Sequence, residues 1–497
     1  MSLDPPAYLL SIQNNFRARP IPWDAVVRAG HVTEGDISKI RSVDKVKKDQ
    51  RKQAVEKDLQ GFRNLLLGDD GSQSVFETAA KRADVVQYIL VLAGDLINDV
   101  STLKSSLLSH PTPFKPFLPL LTQSSNPEDA LPLLASSILT TLISGALEAS
   151  ESTREPEAAI PKLYTYLSLL AKSSDSGLQD IAVQEYSTLL RTRRSRELFW
   201  RQQSETVSPL IDILGTAAGV AKNGDEASTL WSGSSSVRGT TEGGIGGGVG
   251  LQLLYHVLLV FWQLSFEGDL VGDGLEQCAS PHPSLTKTYD LMSRTYEFIP
   301  LYTQLLRLSP KEKTTRLLLS TLLNLVGTNR NTLLPACALV RLPSLLTNLQ
   351  GRHLTDPDLL DDLESLTEML DEYTRTQTTF DEYAAEVRSG HLHWSPPHRN
   401  AAFWRENARR IVDESQGELI KKLAEILSKR WEGDKQVLAV GCNDVGCLVK
   451  EVPEMRLKLE RAGLKTRVME LMAEADETVR WESLRAVGEW MRYSFEG

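Results

Sequence analysis

Three histidines, His391, His393 and His398, stand within eight positions of one another in HLHWSPPHRNAAFWREN (391–407). Imidazoles at that density could hold a metal or work as general acids and bases. A metal would need the side chains to converge, with carboxylate or backbone groups supporting them. Pro396 and Pro397 stand between His393 and His398, and an extended Pro-Pro run splays its neighbours. The histidines are therefore expected at a surface or an interface, with no metal. Carboxylates crowd residues 356–387, which hold eleven Asp/Glu and one Arg. Acid–base work needs a pair in a pocket with displaced pKa values, whereas a dense acidic run reads first as a solvated helix face. The four cysteines, Cys278, Cys337, Cys442 and Cys447, form no CxxC pair. They read as small buried apolar residues in a reducing compartment.

Other chemical signatures are missing. The glycine-rich stretch WSGSSSVRGTTEGGIGGGVG (231–250) lacks the GxxxxGK[ST] lysine that would reach a phosphate. It reads as a flexible surface loop inserted between helices. Neither GxSxG nor HExxH occurs. No catalytic, cofactor-binding or metal-binding residue is assigned, and the expectation is a non-enzyme with no cofactor.

Helical periodicity dominates the elements that would position any site. Leu438, Cys442, Val445, Val449 and Val452 step by 4, 3, 4 and 3, one stripe of a helix. KQVLAVGCNDVG (435–446) and ETVRWESLRAVG (477–488) align at an offset of 42 residues, matching Val437 with Val479, Val445 with Val487 and Gly446 with Gly488. Short helices, a glycine turn and this period predict an all-α armadillo/HEAT-like superhelix in two domains. The expected boundaries are 1–352, a linker at 353–358, and 359–497. No apolar run is seen to reach the ~18–20 residues of a membrane span. The nearest, 251–266, reads as a buried helix, and the N-terminus shows no secretory signal. The net charge is −10, and residues 356–387 alone contribute 1 − 11 = −10, leaving no sustained basic face for nucleic acid.

Two basic clusters remain. KVKKDQRKQ (45–53) reads as a solvated helix. Arg191, Arg193, Arg194 and Arg196 precede Phe199–Trp200, and arginines beside exposed aromatics compose a protein-contact patch. A nuclear import adaptor would carry WxxxN ladders, and none of the nine Trp has Asn four residues on.

TTFDEYAAEV (378–387), HLHWSPPHRNAAFWREN (391–407), VLAVGCNDVG (437–446) and MELMAEADETVRWESLRAVGEWMRYSF (469–495), in this order, resemble the H-subunit family of vacuolar-type proton ATPases (V-ATPases). IPWDAVVRAGHVTEGDISKI resembles that family's opening helices, and the glycine-rich stretch is foreign to it. The resemblance implies a non-catalytic regulatory subunit on the cytosolic face of an endomembrane, without membrane insertion. Its N-terminal domain would dock on the peripheral stalk. Its C-terminal domain would contact the large cytosolic subunit of the membrane sector. In the detached sector it would engage the catalytic head and rotor and block ATP hydrolysis. A generic armadillo adaptor for extended peptides in protein trafficking is the alternative. Trp394, Pro396 and Pro397 then read as a rigid extended interdomain connector. Asn400 caps the next helix, and Phe403 and Trp404 bury behind it. SKRWEGDKQ (428–436) carries Lys429, Arg430, Glu432, Asp434 and Lys435 around Trp431 with no apolar period, and Trp431 is expected as a binding anchor.

Overall fold

The computed structural model describes residues 6–492 except 70, 125, 150–155, 220–249, 269–297, 310 and 432–433. Residues 231–249 of the glycine-rich stretch, Cys278 and Glu432 lie outside the described residues. Among the described residues every regular element is a helix, apart from one isolated bridge between Asp69 and Ser72. The chain is an all-α helical-repeat protein. Packing divides the described residues into two groups, those within 1–214 and 249–271, and those within 215–248 and 272–497.

The first group contains α1 (Ala83–Asp99), α2 (Ala130–Glu148), α3 (Pro156–Ala171), α4 (Ser176–Leu189), α5 (Arg193–Arg201) and α6 (Leu251–Ser265). Helix α2 packs on α1 and α3, α3 on α4, and α4 on α6, the neighbour-to-neighbour stacking of a solenoid. Helix α2 overturns the expectation that no segment has the length of a membrane span. It has 19 residues with a mean hydropathy of 1.7, long and apolar enough to cross a membrane by composition. Buried polar residues, Ser136, Thr140 and Ser144, hide that length in the sequence. Neighbouring helices bury 78% of its apolar window, so in this fold its apolarity is core packing.

All three hydroxyls are bonded, Ser144 to the Thr188 carbonyl at 3.0 Å. Ser136 and Thr140 donate to the buried Glu185 carboxylate of α4 at 3.0 and 2.9 Å. Burial outweighs both bonds and pushes Glu185 up to about 8, from an ordinary 4.5. The folded state therefore holds this proton more tightly than the unfolded chain. Stability is unaffected below pH 4.5 and falls as pH rises from there through about 8, by at most about 1.4 kcal/mol per pH unit. Glu185→Gln should flatten that slope in urea unfolding measured from pH 5 to 9. An unchanged slope would mean that Glu185 is ionised in the folded protein.

The second group contains α7 (Glu312–Thr328), α8 (Leu342–Gln350), α9 (Pro357–Thr376), α10 (Thr379–Ser389), α11 (Pro396–Arg399), α12 (Ala401–Asp413), α13 (Glu418–Ser428), α14 (Gln436–Glu451), α15 (Leu464–Leu471) and α16 (Glu477–Arg492). Helix α9 carries most of the acidic run. Asp356 caps it by accepting from the N–H groups of Asp358 and Leu359, with Pro357 in the first turn. Its leucines Leu359, Leu363, Leu366 and Leu370 are buried, while Asp361, Glu364, Glu368 and Asp371 face water. Helix α9 packs on α7 and α8, so packing groups residues 357–376 with the helices that precede them.

From Phe380 to Trp490 a separate core forms around α14. The stripe read from the sequence is all inside, with Leu438, Cys442, Val445 and Val449 fully buried and Val452 nearly so. Burial pushes the Cys337, Cys442 and Cys447 thiols up to about 12, which leaves them protonated and unreactive. Helices α14 and α16 have 16 residues each and lie along one another. A Cβ on Gly446 would come within 3.1 Å of the Ala486 Cα, so any larger residue would press the two helices apart by a few tenths of an ångström.

Candidate interaction surfaces and a buried charged centre

The WSPPH motif folds differently from the extended connector expected of it. Ser395 is extended and precedes a short helix, α11, that holds Pro396 and Pro397 in its first turn. A proline there loses no hydrogen bond and already has a helical φ, so the pair starts a turn. That turn carries His398 inward, to 1% exposure, and corrects the surface placement expected for it.

His398 closes a charged centre made by α10, α11 and α14. Its Nδ1 lies 2.7 and 2.9 Å from the two Asp444 oxygens, and its Nε2 lies 3.0 Å from Glu386 Oε1. The same Glu386 accepts from the His393 backbone N–H at 2.7 Å and from Ser395 Oγ at 2.8 Å, with His393 Nδ1 at 3.0 Å. The His398 carbonyl accepts from Asn443 Nδ2 at 3.0 Å and Trp404 Nε1 at 3.4 Å. Burial opposes charge on His398, but Asp444 and Glu386 outweigh it and lift the imidazole to about 10. Burial also opposes ionisation of Glu386, but the bonds from His393 and His398 bring it down to about 2. Burial pushes Asp444 up against the pull of His398. An imidazolium donating from both nitrogens to two carboxylates, closed to solvent, is a clamp, with no room for a substrate. Among the described residues no group of three or more His, Cys, Asp and Glu side chains is arranged to hold a metal ion.

The aromatic residues around the centre are core. Asn400 accepts from the Ala402 and Phe403 N–H groups at 2.9 and 3.5 Å and caps α12, as its position predicts. Phe403 and Trp404 are buried, each with its ring against Tyr383 of α10. Trp394 is half-buried under the Arg399 guanidinium, 4.9 Å from its ring centroid. These residues pack within the core that runs from Phe380 to Trp490.

Trp431 is already engaged inside the chain. It is partly buried against the same core, donates from Nε1 to the Ile426 carbonyl at 2.8 Å, and meets the His391 ring edge-on at 5.4 Å. Burial, helped by Lys429, pushes His391 down to about 4, so that ring is neutral near pH 7. Around Trp431, Lys429 reaches Glu425 at 3.6 Å and Lys435 reaches Glu474 at 3.1 Å, while Asp434 is raised by burial. Arg430 is exposed.

The arginine cluster has carboxylate partners throughout. Arg191 bonds Glu148 at 3.2 Å, Arg194 bonds Glu157 at 2.6 Å, and Arg196 bonds Glu267 at 2.7 Å. Arg193 bonds Glu197 at 3.1 Å and reaches Glu267 at 3.4 Å. Phe199 and Trp200, expected to be exposed, are buried, and Phe199 meets Tyr164 and Tyr186 edge-on. The cause is the Thr192 capping box, which starts α5 there, turns Phe199 onto α3 and α4 and leaves Trp200 buried as well.

Two adjoining family models cover nearly all of the chain. Both describe the V-ATPase H subunit, one matching residues 7–370 and the other residues 376–495. The chain belongs to the V-ATPase H-subunit family. Similar relatives include the V-type proton ATPase H subunit of Drosophila melanogaster, 28% identical over 97% of this chain and 89% of that one. One of two probable V-type proton ATPase H subunits of Caenorhabditis elegans is 33% identical, the match spanning 49% of this chain and half of that relative. The family is that of an accessory subunit of a proton pump, so other V-ATPase subunits are its partners. Three of the motifs that carry the resemblance, 378–387, 391–407 and 437–446, supply the residues of the charged centre in the second group. Sequence reasoning misses Glu386 and Asp444. Asp444 is detectable in principle, because α14 is apolar on every side and a carboxylate there needs a partner.

Proposed function

We propose that this member of the V-ATPase H-subunit family is a regulatory bridge between the peripheral stalk and the membrane sector of the vacuolar proton pump. In the assembled pump it supports coupled ATP hydrolysis and proton transport, working at the cytosolic face of an endomembrane. When the cytosolic sector detaches, its C-terminal domain turns against the catalytic head and rotor and stops hydrolysis. The two docks exclude one another, so assembly decides which is populated. The observation that carries this reading is the pair of adjoining matches, 7–370 and 376–495, which divides the chain as such a bridge requires.

Residues 429–435 are the proposed inhibitory contact, with Arg430 as the outward group and Trp431 holding the segment to the core. The test is ATP hydrolysis by the detached soluble sector, stripped of its own H subunit, with this protein titrated in. Inhibition at one copy per sector is expected, and no binding at all would sink the proposal. Arg430→Glu should weaken inhibition at least tenfold without altering the unfolding transition. Trp431→Ala should lower stability by about 1–2 kcal/mol, the scale of a half-buried aromatic. If Trp431→Ala left the melt untouched and abolished inhibition, the ring would be the anchor and Arg430 incidental.

A further inference from the structure

Helix α16, the last described helix, turns an apolar stripe outward. Trp481 is 66% exposed, Leu484 50% and Met491 54%. With Gly488 they step by 3, 4 and 3, a single helical face. Moving back by the 42-residue repeat lands on Ala439, Cys442, Gly446 and Val449 of α14, all of them buried. That face of α14 is the one on which α16 lies, with Gly446 against Ala486 and Asn443 bonded by Arg485. The same repeat positions are thus covered in α14 and bare in α16. A stack that ends in water presents a polar outer face, and exposed large apolar side chains grouped together mark a contact.

The flank of the stripe is basic. Arg485 and Arg492 are 47% and 60% exposed, while Glu482 and Glu489, their partners on the helix, are 10% and 18%. A Cβ on Gly488 would meet nothing within 4 Å, which leaves space for another backbone.

We propose that this face seats an α-helix of another pump subunit, lying along α16 as α16 lies along α14. A small residue of that helix crosses Gly488, its apolar side chains cover Trp481, Leu484 and Met491, and its carboxylates face Arg485 and Arg492. A second copy of this chain would bring the same two arginines to the flank, so charge selects an acidic amphipathic helix. The inference rests on the pump reading and specifies one surface of it.

The test uses the full-length chain with two preparations stripped of their own H subunit, the detached soluble sector and pump-bearing membranes. Binding is compared for the wild type, Gly488→Leu, and Trp481→Ser with Leu484→Ser. Circular dichroism and thermal melts check that these outward substitutions leave the fold intact. A photoreactive residue at position 484 identifies what lies against the face. Both variants should bind at least tenfold more weakly in one of the two preparations. The cross-link should fall on a helix of another subunit that carries a small residue and flanking Asp or Glu. Unchanged binding in both preparations would overturn the inference while the pump reading stands. So would a cross-link to a second copy of this chain or to lipid. A wild type that binds neither preparation would sink the pump reading, and this inference with it.

Discussion

Asp444→Ala should lower the stability of the second group of helices by about 3–5 kcal/mol, the usual loss when one member of a buried ion pair is removed. Asp444 is fully buried and holds His398 Nδ1 through both of its oxygens. Without it a buried imidazolium keeps Glu386 alone, and the Asn443 amide loses its 3.1 Å bond to Asp444. Urea unfolding followed by circular dichroism at pH 7 measures the loss, and a change below about 1 kcal/mol would show that the three groups do not act as a clamp. The pH dependence gives a second readout. His398 rises from an ordinary 6.5 to about 10 in the folded protein, so its stabilisation is complete below pH 6.5 and disappears as pH climbs through about 10. Glu386 falls from 4.5 to about 2, so its stabilisation holds above pH 4.5 and is lost as pH drops through about 2. Asp444→Asn, which keeps shape and removes charge, should return the His398 titration, followed by NMR, toward its ordinary range.

The second large effect is expected at Trp404. Trp404→Ala should destabilise by about 3–5 kcal/mol, as truncation of a buried aromatic does. The indole is 2% exposed, stands edge-on to Tyr383 and Phe403 at 5.3 and 5.4 Å, and donates to the His398 carbonyl. Its removal opens a cavity beside the charged centre. Trp394→Ala is the control, since that ring is half-buried and its contact with Arg399 contributes about 0.5–1 kcal/mol. Equal losses at the two positions in the same urea series would contradict the placement of Trp404 at the core.

Local rules carry the reading of the sequence a long way. The stripe from Leu438 to Val452, the Asn400 cap and the 42-residue correspondence all appear in the structure, because each depends on residues a few positions apart or on a repeated unit. What stays hidden depends on distant partners. His398 lies 46 residues from Asp444, and Arg196 lies 71 from Glu267. A sequence shows the types of such residues and leaves their meeting to the fold. Two errors have a local cause. Pro396–Pro397 opens a turn where an extended run is expected, and the Thr192 cap turns Phe199–Trp200 inward where exposure is expected. The carbonyl that Trp431 donates to and the carboxylates that pair with the arginines at 191–196 are likewise invisible to periodicity.

The clamp of Glu386, His398 and Asp444 changes how this stack of helices comes apart. A helical-repeat array ordinarily unravels from its ends, unit by unit, since each unit touches only its neighbours. Here α10, α11 and α14 share one charge balance, and freeing any of them strands an ion in apolar surroundings. Fraying is thereby converted into cooperative, all-or-none opening. Backbone amides of α10 and α14 should exchange with deuterium together and slowly, as a single foldon. A domain clamped in this way can be pulled on at its edge without losing its shape.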